Sequence, residues 1–194
     1  AILAGLGPAQ QAMAWQELGD VLGRSDPEAG LALLEQEAAV QGEAFSLTDA
    51  QEELVESWAE QDPAAAASYL ETNPALLEAE PDLIPRIARD WARLDLASSG
   101  EWLNGMEPSP QVDRAVGIYA VYAASEDPAG AMVWAESVEN NRRRNWIQRR
   151  VASEWARQDP TGFESYLEGT ELADDARNRL RDAANTEAWR WGRN

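Results

Sequence analysis

Apolar residues along this chain fall into paired stripes around a recurring Asp-Pro step. The step occurs at Asp26-Pro27, Asp62-Pro63, Asp127-Pro128 and Asp159-Pro160, and Asp95-Leu96 fills the gap, so that successive steps lie 36, 33, 32 and 32 residues apart. Eight residues before each Asp stand Leu18, Leu54, Ile87, Tyr119 and Val151, and four before it Leu22, Trp58, Trp91, Ala123 and Trp155. That spacing sets both on one helix face, the face to be buried. Three before the Asp the residue is Gly23, Ala59, Ala92, Ala124 or Ala156, small enough for backbones to cross closely. A second stripe follows the step: Gly30, Ala66, Ser99, Ala131 and Phe163 at plus four, Leu33, Tyr69, Trp102, Trp134 and Tyr166 at plus seven, and Leu34, Leu70, Leu103, Ala135 and Leu167 at plus eight.

The step between the stripes has its own chemistry. An Asp carboxylate accepts hydrogen bonds from the free N–H groups of a first helical turn, and Pro at the first helical position loses no bond and has its φ preset. Each unit therefore reads as helix A, cap, helix B. A helices are expected near 14–24, 48–60, 83–94, 111–125, 142–157 and 172–190, and B helices near 27–40, 63–72, 96–104, 128–139 and 160–168. The links "TNPALLEAEPDLIP", "NGMEPSP" and "EGTE" suit turns between units. Self-similarity at this period predicts an all-α chain, a right-handed α-solenoid of about five antiparallel helix hairpins with a C-terminal capping helix that carries Arg177, Arg179 and Arg181. Residues 14–194 are expected to form one solenoid domain, with 1–13 as its start or the stub of a linker.

Composition narrows the chemistry more than the fold. The 194 residues include no Cys and no His, which removes disulfides, thiolate nucleophiles, imidazole bases and the usual zinc, copper and haem ligands. All sixteen basic residues are Arg, against 35 acids, for a net charge of −19. The imbalance is uneven: residues 1–139 hold 5 Arg and 26 acids, residues 140–194 hold 11 Arg and 9 acids. Such a field disfavours nucleic acid and anionic membrane over most of the surface. No apolar run reaches the roughly 20 residues of a membrane-spanning helix. The "AMA" at 12–14 has the form of a signal-cleavage site, but Trp15 fits the first repeat and "ILAGLG" is short for the apolar core of a signal. The chain opens without Met, which tips the expected compartment towards periplasmic or exported.

"WQELGDVL" at 15–22 resembles the opening of a tetratricopeptide repeat, whose pattern is Trp, two residues, Leu-Gly, two residues, Tyr, with Leu22 in the Tyr place. Most of the chain is more similar to the Trp-Ala-x-x-Asp-Pro-x-x-Ala-x-x-Tyr/Trp-Leu repeats found in bacterial proteins, as in "WAEQDPAAAASYL" at 58–70. The resemblance implies an α-solenoid of tetratricopeptide or HEAT type and no activity. In tetratricopeptide proteins the A helices line a concave peptide-binding surface, so the same surface is the place to look here.

Four features compete with a purely structural reading. Of nine Trp, Trp58, Trp91, Trp102, Trp134 and Trp155 fall on the core stripes, and Trp15, Trp146, Trp189 and Trp191, off the stripes, are read as terminal packing. "NNRRRNWIQRR" at 140–150 gathers Arg142, Arg143, Arg144, Arg149 and Arg150 around an indole. Such a cluster can grip phosphate or bases, though pairing with acids of neighbouring helices is favoured. In "DRAVGIYAVYAASED", Ile118, Val121 and Tyr122 stand where other repeats are mostly charged. They form either a partner patch or, the preferred reading, a rotated helix in which Tyr122 replaces the Trp missing at Ala123. Acidic runs such as "DAQEELVESWAEQD" are read as solvated helix faces rather than paired catalytic carboxylates, which need a cleft that raises a pKa.

The expected function is that of a non-enzymatic helical-repeat scaffold without cofactor or metal, binding a protein or peptide partner or serving as a subunit of a larger complex. Arg142, Arg143, Arg144, Arg149 and Arg150 form one candidate surface, and Ile118, Val121 and Tyr122 the other. The alternatives are the non-catalytic superhelical part of a cell-wall hydrolase and an acidic mimic or inhibitor of a nucleic-acid-binding protein.

Overall fold

The computed structural model describes residues 5–41 and 47–191, and their side chains apart from those of residues 8, 41, 47 and 186–191. Residues 1–4 of the expected N-terminal stub, and the side chains of Trp189 and Trp191, lie outside that description. The protein is all-helical, with no strand among the described residues. Its helices are α1 (Pro8–Ser25), α2 (Pro27–Gln41), α3 (Leu47–Ala59), α4 (Pro63–Thr72), α5 (Pro74–Ala79), α6 (Leu83–Leu94), α7 (Leu96–Asn104), α8 (Pro110–Ala123), α9 (Pro128–Ser137), α10 (Asn141–Gln158), α11 (Pro160–Gly169) and α12 (Asp174–Trp191). The chain divides into two compact units, Ala1–Trp91 and Ala92–Asn194, with the division inside the last turn of α6.

Each helix boundary at an Asp step follows from the cap. Asp26 accepts from the Ala29 amide at 3.0 Å, Asp62 from Ala65 at 3.0 Å, Asp95 from Ser98 at 3.1 Å, Asp127 from Gly130 at 3.0 Å and Asp159 from Gly162 at 2.8 Å. Asp95, which lacks the following Pro, also accepts from the Ser98 hydroxyl at 2.6 Å, and these bonds hold its carboxyl below the ordinary carboxylate value. Ser109 and Asn140 cap α8 and α10 in the same manner, from Val112 and Arg143. With the caps fixed, the stripes fall where the pattern sets them. All five plus-eight residues and all five plus-four residues are buried, and all five plus-seven residues are half-buried. Full burial of a Leu such as Leu34 or Leu167 contributes roughly 1.5–3 kcal/mol, against ~1 kcal/mol for a cap. Burial thus supplies most of the stability, and the cap decides which residues are buried.

In the first unit α1 packs on α3, α2 lies against both, and α3 also carries α4 and α5. The crossing of α1 and α3 is close at Gly23, where an added Cβ would fall on the Leu54 carbonyl oxygen and stand 2.9 Å from the Ser57 Cβ. Polar ties follow the crossing: the Ser57 hydroxyl donates to Asp20 at 2.6 Å, and Gln61 donates to the Arg24 carbonyl at 2.8 Å. The second unit repeats the scheme, with α8 against α7, α9 and α10, and α10 against α9, α11 and α12. There Gln158, the residue before Asp159 as Gln61 is before Asp62, donates to the Ala124 carbonyl at 3.4 Å. The Gln of the repeated "QDP" thus covers a carbonyl at the end of the preceding A helix.

Aromatic rings at minus four and plus seven meet within a repeat: Trp58 with Tyr69 at 6.0 Å between centroids, and Trp155 with Tyr166 at 4.9 Å. In the fourth repeat the ring that meets Trp134 is Tyr119, edge-on at 4.8 Å. The expected substitute for the missing Trp was Tyr122; Tyr119 takes the role because it reaches from one turn earlier, over Gly100, where a Cβ would stand 2.8 Å from the phenol Cζ. Two further differences concern segments read as links. Residues 74–79 form α5, a six-residue helix with Pro74 at its start and Leu76 buried. Residues 8–13 are the first turns of α1, and Trp15, read as terminal packing, is a core residue at 2% exposure.

Three outcomes are expected. Asp127→Ala removes the cap of α9 and costs ~1 kcal/mol in denaturant unfolding. Gly23→Ala lowers stability by about 1–3 kcal/mol because the methyl meets backbone, which outweighs the helix preference of Ala; Gly169→Ala, with open space around it, does not. Burial and the charges of Glu56, Asp20 and Glu52 push the Glu53 carboxyl above its ordinary value. Because the folded-state value is the higher one, stability is lost as pH rises through the Glu53 titration. Glu53→Gln therefore raises Tm at neutral pH, and the gain disappears below about pH 4.

Candidate functional site

Helix α10 reads NRRRNWIQRRVASEWARQ, and it buries Ile147, Val151, Ala152 and Trp155. Its opposite face carries Trp146, Arg150, Ser153 and Arg157, whose spacing of four, three and four makes one continuous stripe. Arg150, Ser153 and Arg157 form one wall of a cavity of about 840 Å³ in the second unit. Glu154 also lines it, as do Val121 of α8, Ser125 just beyond that helix, Pro160, Phe163 and Glu164 of α11, and Arg181 and Ala184 of α12. Three successive A helices and the last B helix thus enclose a groove with an apolar floor and a charged rim.

The rim charges are organised by hydrogen bonds. Arg157 donates to Glu154 at 3.1 Å, and Gln158 donates to the same carboxylate at 2.6 Å. These bonds, led by those from Arg157, hold the Glu154 carboxyl below its ordinary value against the opposing effect of burial. Across the groove Arg181 grips Glu164 through both carboxylate oxygens, at 3.0 and 2.7 Å, and lowers that carboxyl too. A general acid in a glycoside-cleaving pair needs a carboxyl held above its ordinary value. Both groove carboxyls are shifted the other way, so the pair suits charge pairing and not proton donation. Among the described residues no cluster of three acidic side chains is placed to hold a metal ion, and no helix is long and apolar enough to cross a membrane.

The residues singled out in the sequence separate into groups. Arg143 is bound to Asp113 at 2.7 Å and Arg144 donates to the Val138 carbonyl at 3.1 Å, so these two tie α10 to the preceding helices and their link. Arg150 lines the groove, while Arg142 and Arg149 are exposed outside it. Ile118, Val121 and Tyr122 are all half-buried, and of the three only Val121 reaches the groove. Trp146, read as terminal packing, is instead 57% exposed. Phe163, Arg157 and Arg181 were not among the candidate site residues. Phe163 left a trace in the sequence, since it is the one large side chain at plus four, where the other repeats have Gly, Ala or Ser. No protein-family model, curated protein or solved structure matches the chain.

Proposed function

We propose that this protein is a non-enzymatic scaffold, a right-handed α-solenoid of antiparallel helix hairpins, and that a segment of a protein partner docks in the groove of its second unit. The observation that carries the reading is the composition of the groove. Val121, Phe163 and Ala184 offer apolar surface, and Arg150, Arg157 and Arg181 stand at the rim against only Glu154 and Glu164. Aromatic and Arg groups around an apolar floor are the residue types that supply most of the energy at protein interfaces. The volume holds a few side chains of a docked segment, within the usual range of roughly 300–1,000 Å³ for binding clefts. The Asp-capped repeat adds support, since stacked A helices present such a concave face. The absence of Cys and His and the lowered groove carboxyls favour binding over catalysis.

A photo-reactive amino acid introduced at Ser153, in the groove, tests the reading against one at Val40, an exposed site on the first unit. The expected result in native extract is one dominant cross-linked protein from position 153 and none from position 40, and Arg157→Glu weakens that cross-link. Equal labelling from the two positions, or no protein adduct at 153, removes the groove as a docking site.

A further inference from the structure

All the basic charge of this chain is arginine, and the folded structure engages most of it. Arg24 pairs with Asp20, Arg86 with Glu52, Arg143 with Asp113, Arg157 with Glu154 and Arg181 with Glu164. Arg144 and Arg177 donate to the Val138 and Leu172 carbonyls. Arg142, Arg149 and Arg179 stand apart: they are exposed and have no hydrogen-bond or ion-pair partner among the described residues.

Two of these arginines flank one exposed side chain, and the third shares a notch with one of them. Arg142 lies four residues before Trp146 and Arg149 three after it, so both are its neighbours on the surface of α10. Arg149 and Arg179 line the same small notch between α10 and α12. Trp146, beside Arg142 and Arg149 on α10, is the only exposed aromatic among the described residues. The arrangement is unfavourable when empty. The first turn of α10 holds Arg142, Arg143 and Arg144 and no acid, so the helix dipole opposes the unpaired Arg142. The indole leaves apolar surface in water. A ligand that brings carboxylates together with an apolar side chain relieves both costs.

We propose that Arg142, Trp146, Arg149 and Arg179 form a second docking surface, for an acidic protein segment that carries an apolar anchor residue. The proposal rests on the reading of the chain as a protein-binding scaffold but not on the groove. Charge selects this occupant over a nucleic acid, because residues 1–139 set 26 acids against 5 Arg and repel a long polyanion. A short segment carries fewer charges and so meets less of that repulsion. A second copy is disfavoured because two chains at −19 repel one another.

The test is fluorescence anisotropy on the full chain with a labelled peptide of Glu and Asp around a single Leu. Its Gln/Asn counterpart and an oligothymidylate of equal charge serve as alternatives. The acidic peptide is expected to bind and the neutral one not, with an affinity that falls as salt screens the guanidiniums. Trp146→Ala and the triple variant Arg142→Glu, Arg149→Glu, Arg179→Glu each weaken it by about tenfold or more, with Tm unchanged. Equal binding of the neutral peptide, tighter binding of the oligonucleotide, dimerisation abolished by Trp146→Ala, or no peptide binding overturns the proposal. Loss of the Ser153 cross-link with peptide binding intact sinks the groove alone; the converse sinks only this surface.

Discussion

The interaction on which the rest of this structure depends is the hydrogen bond from a helical amide to the Asp at each repeat step. It is worth only ~1 kcal/mol at one site, less than the burial of a single Leu. Its importance is positional. By fixing where one helix stops and the next starts, it sets which side chains arrive at plus four and plus eight, and those are buried in all five repeats. A slip of one residue would turn each stripe through about 100° and bring polar side chains inward. Asp95 shows the same demand met by different means: without Pro to preset the turn, the Ser98 hydroxyl joins the amide on its carboxylate.

Charge is distributed on a second plan. The chain is strongly acidic, yet its arginines are placed at junctions between helices rather than spread over the surface: Arg24 reaches Glu60, Arg86 reaches Glu52, and Arg143 reaches Asp113. Of these the Arg24–Glu60 pair is exposed, a kind that contributes about 0–1 kcal/mol, while the other two are part-buried; all three select which helices are neighbours. Most of the other arginines collect on α10 and α12, beside a groove and an exposed indole. The C-terminal third of the chain is therefore where the electrostatics changes character.

Much of the fold was legible because its determinants are local. A cap acts over three residues and a stripe over eight, so Asp, Pro and the apolar spacing located nearly every helix to within a few residues. Helix α5 escaped because six residues with one buried side chain, Leu76, leave no periodicity, and its prolines read as a link. The groove was beyond local reasoning. Val121, Phe163 and Arg181 are brought together by the packing of successive helices, and nothing in the spacing of one repeat announces it. Within the Arg cluster, composition named the residues, but whether each was spent on a neighbour depended on partners elsewhere. Arg143 finds Asp113 thirty residues away, and Arg149 finds none among the described residues.

The reach of Tyr119 over Gly100 changes what a repeat means in this protein. Where the second, third and fifth repeats place a Trp four residues before the Asp, the fourth uses an aromatic from a turn earlier, and that ring lies over a glycine supplied by the third. The third and fourth repeats are thus matched parts. They share a period with the others but cannot be exchanged with them, and a duplication or reshuffling that separated Tyr119 from Gly100 would leave the phenol facing a Cβ it has no room to pass. The order of these two repeats is written into their packing, so the chain is a sequence of specific neighbours and not a string of equivalent modules.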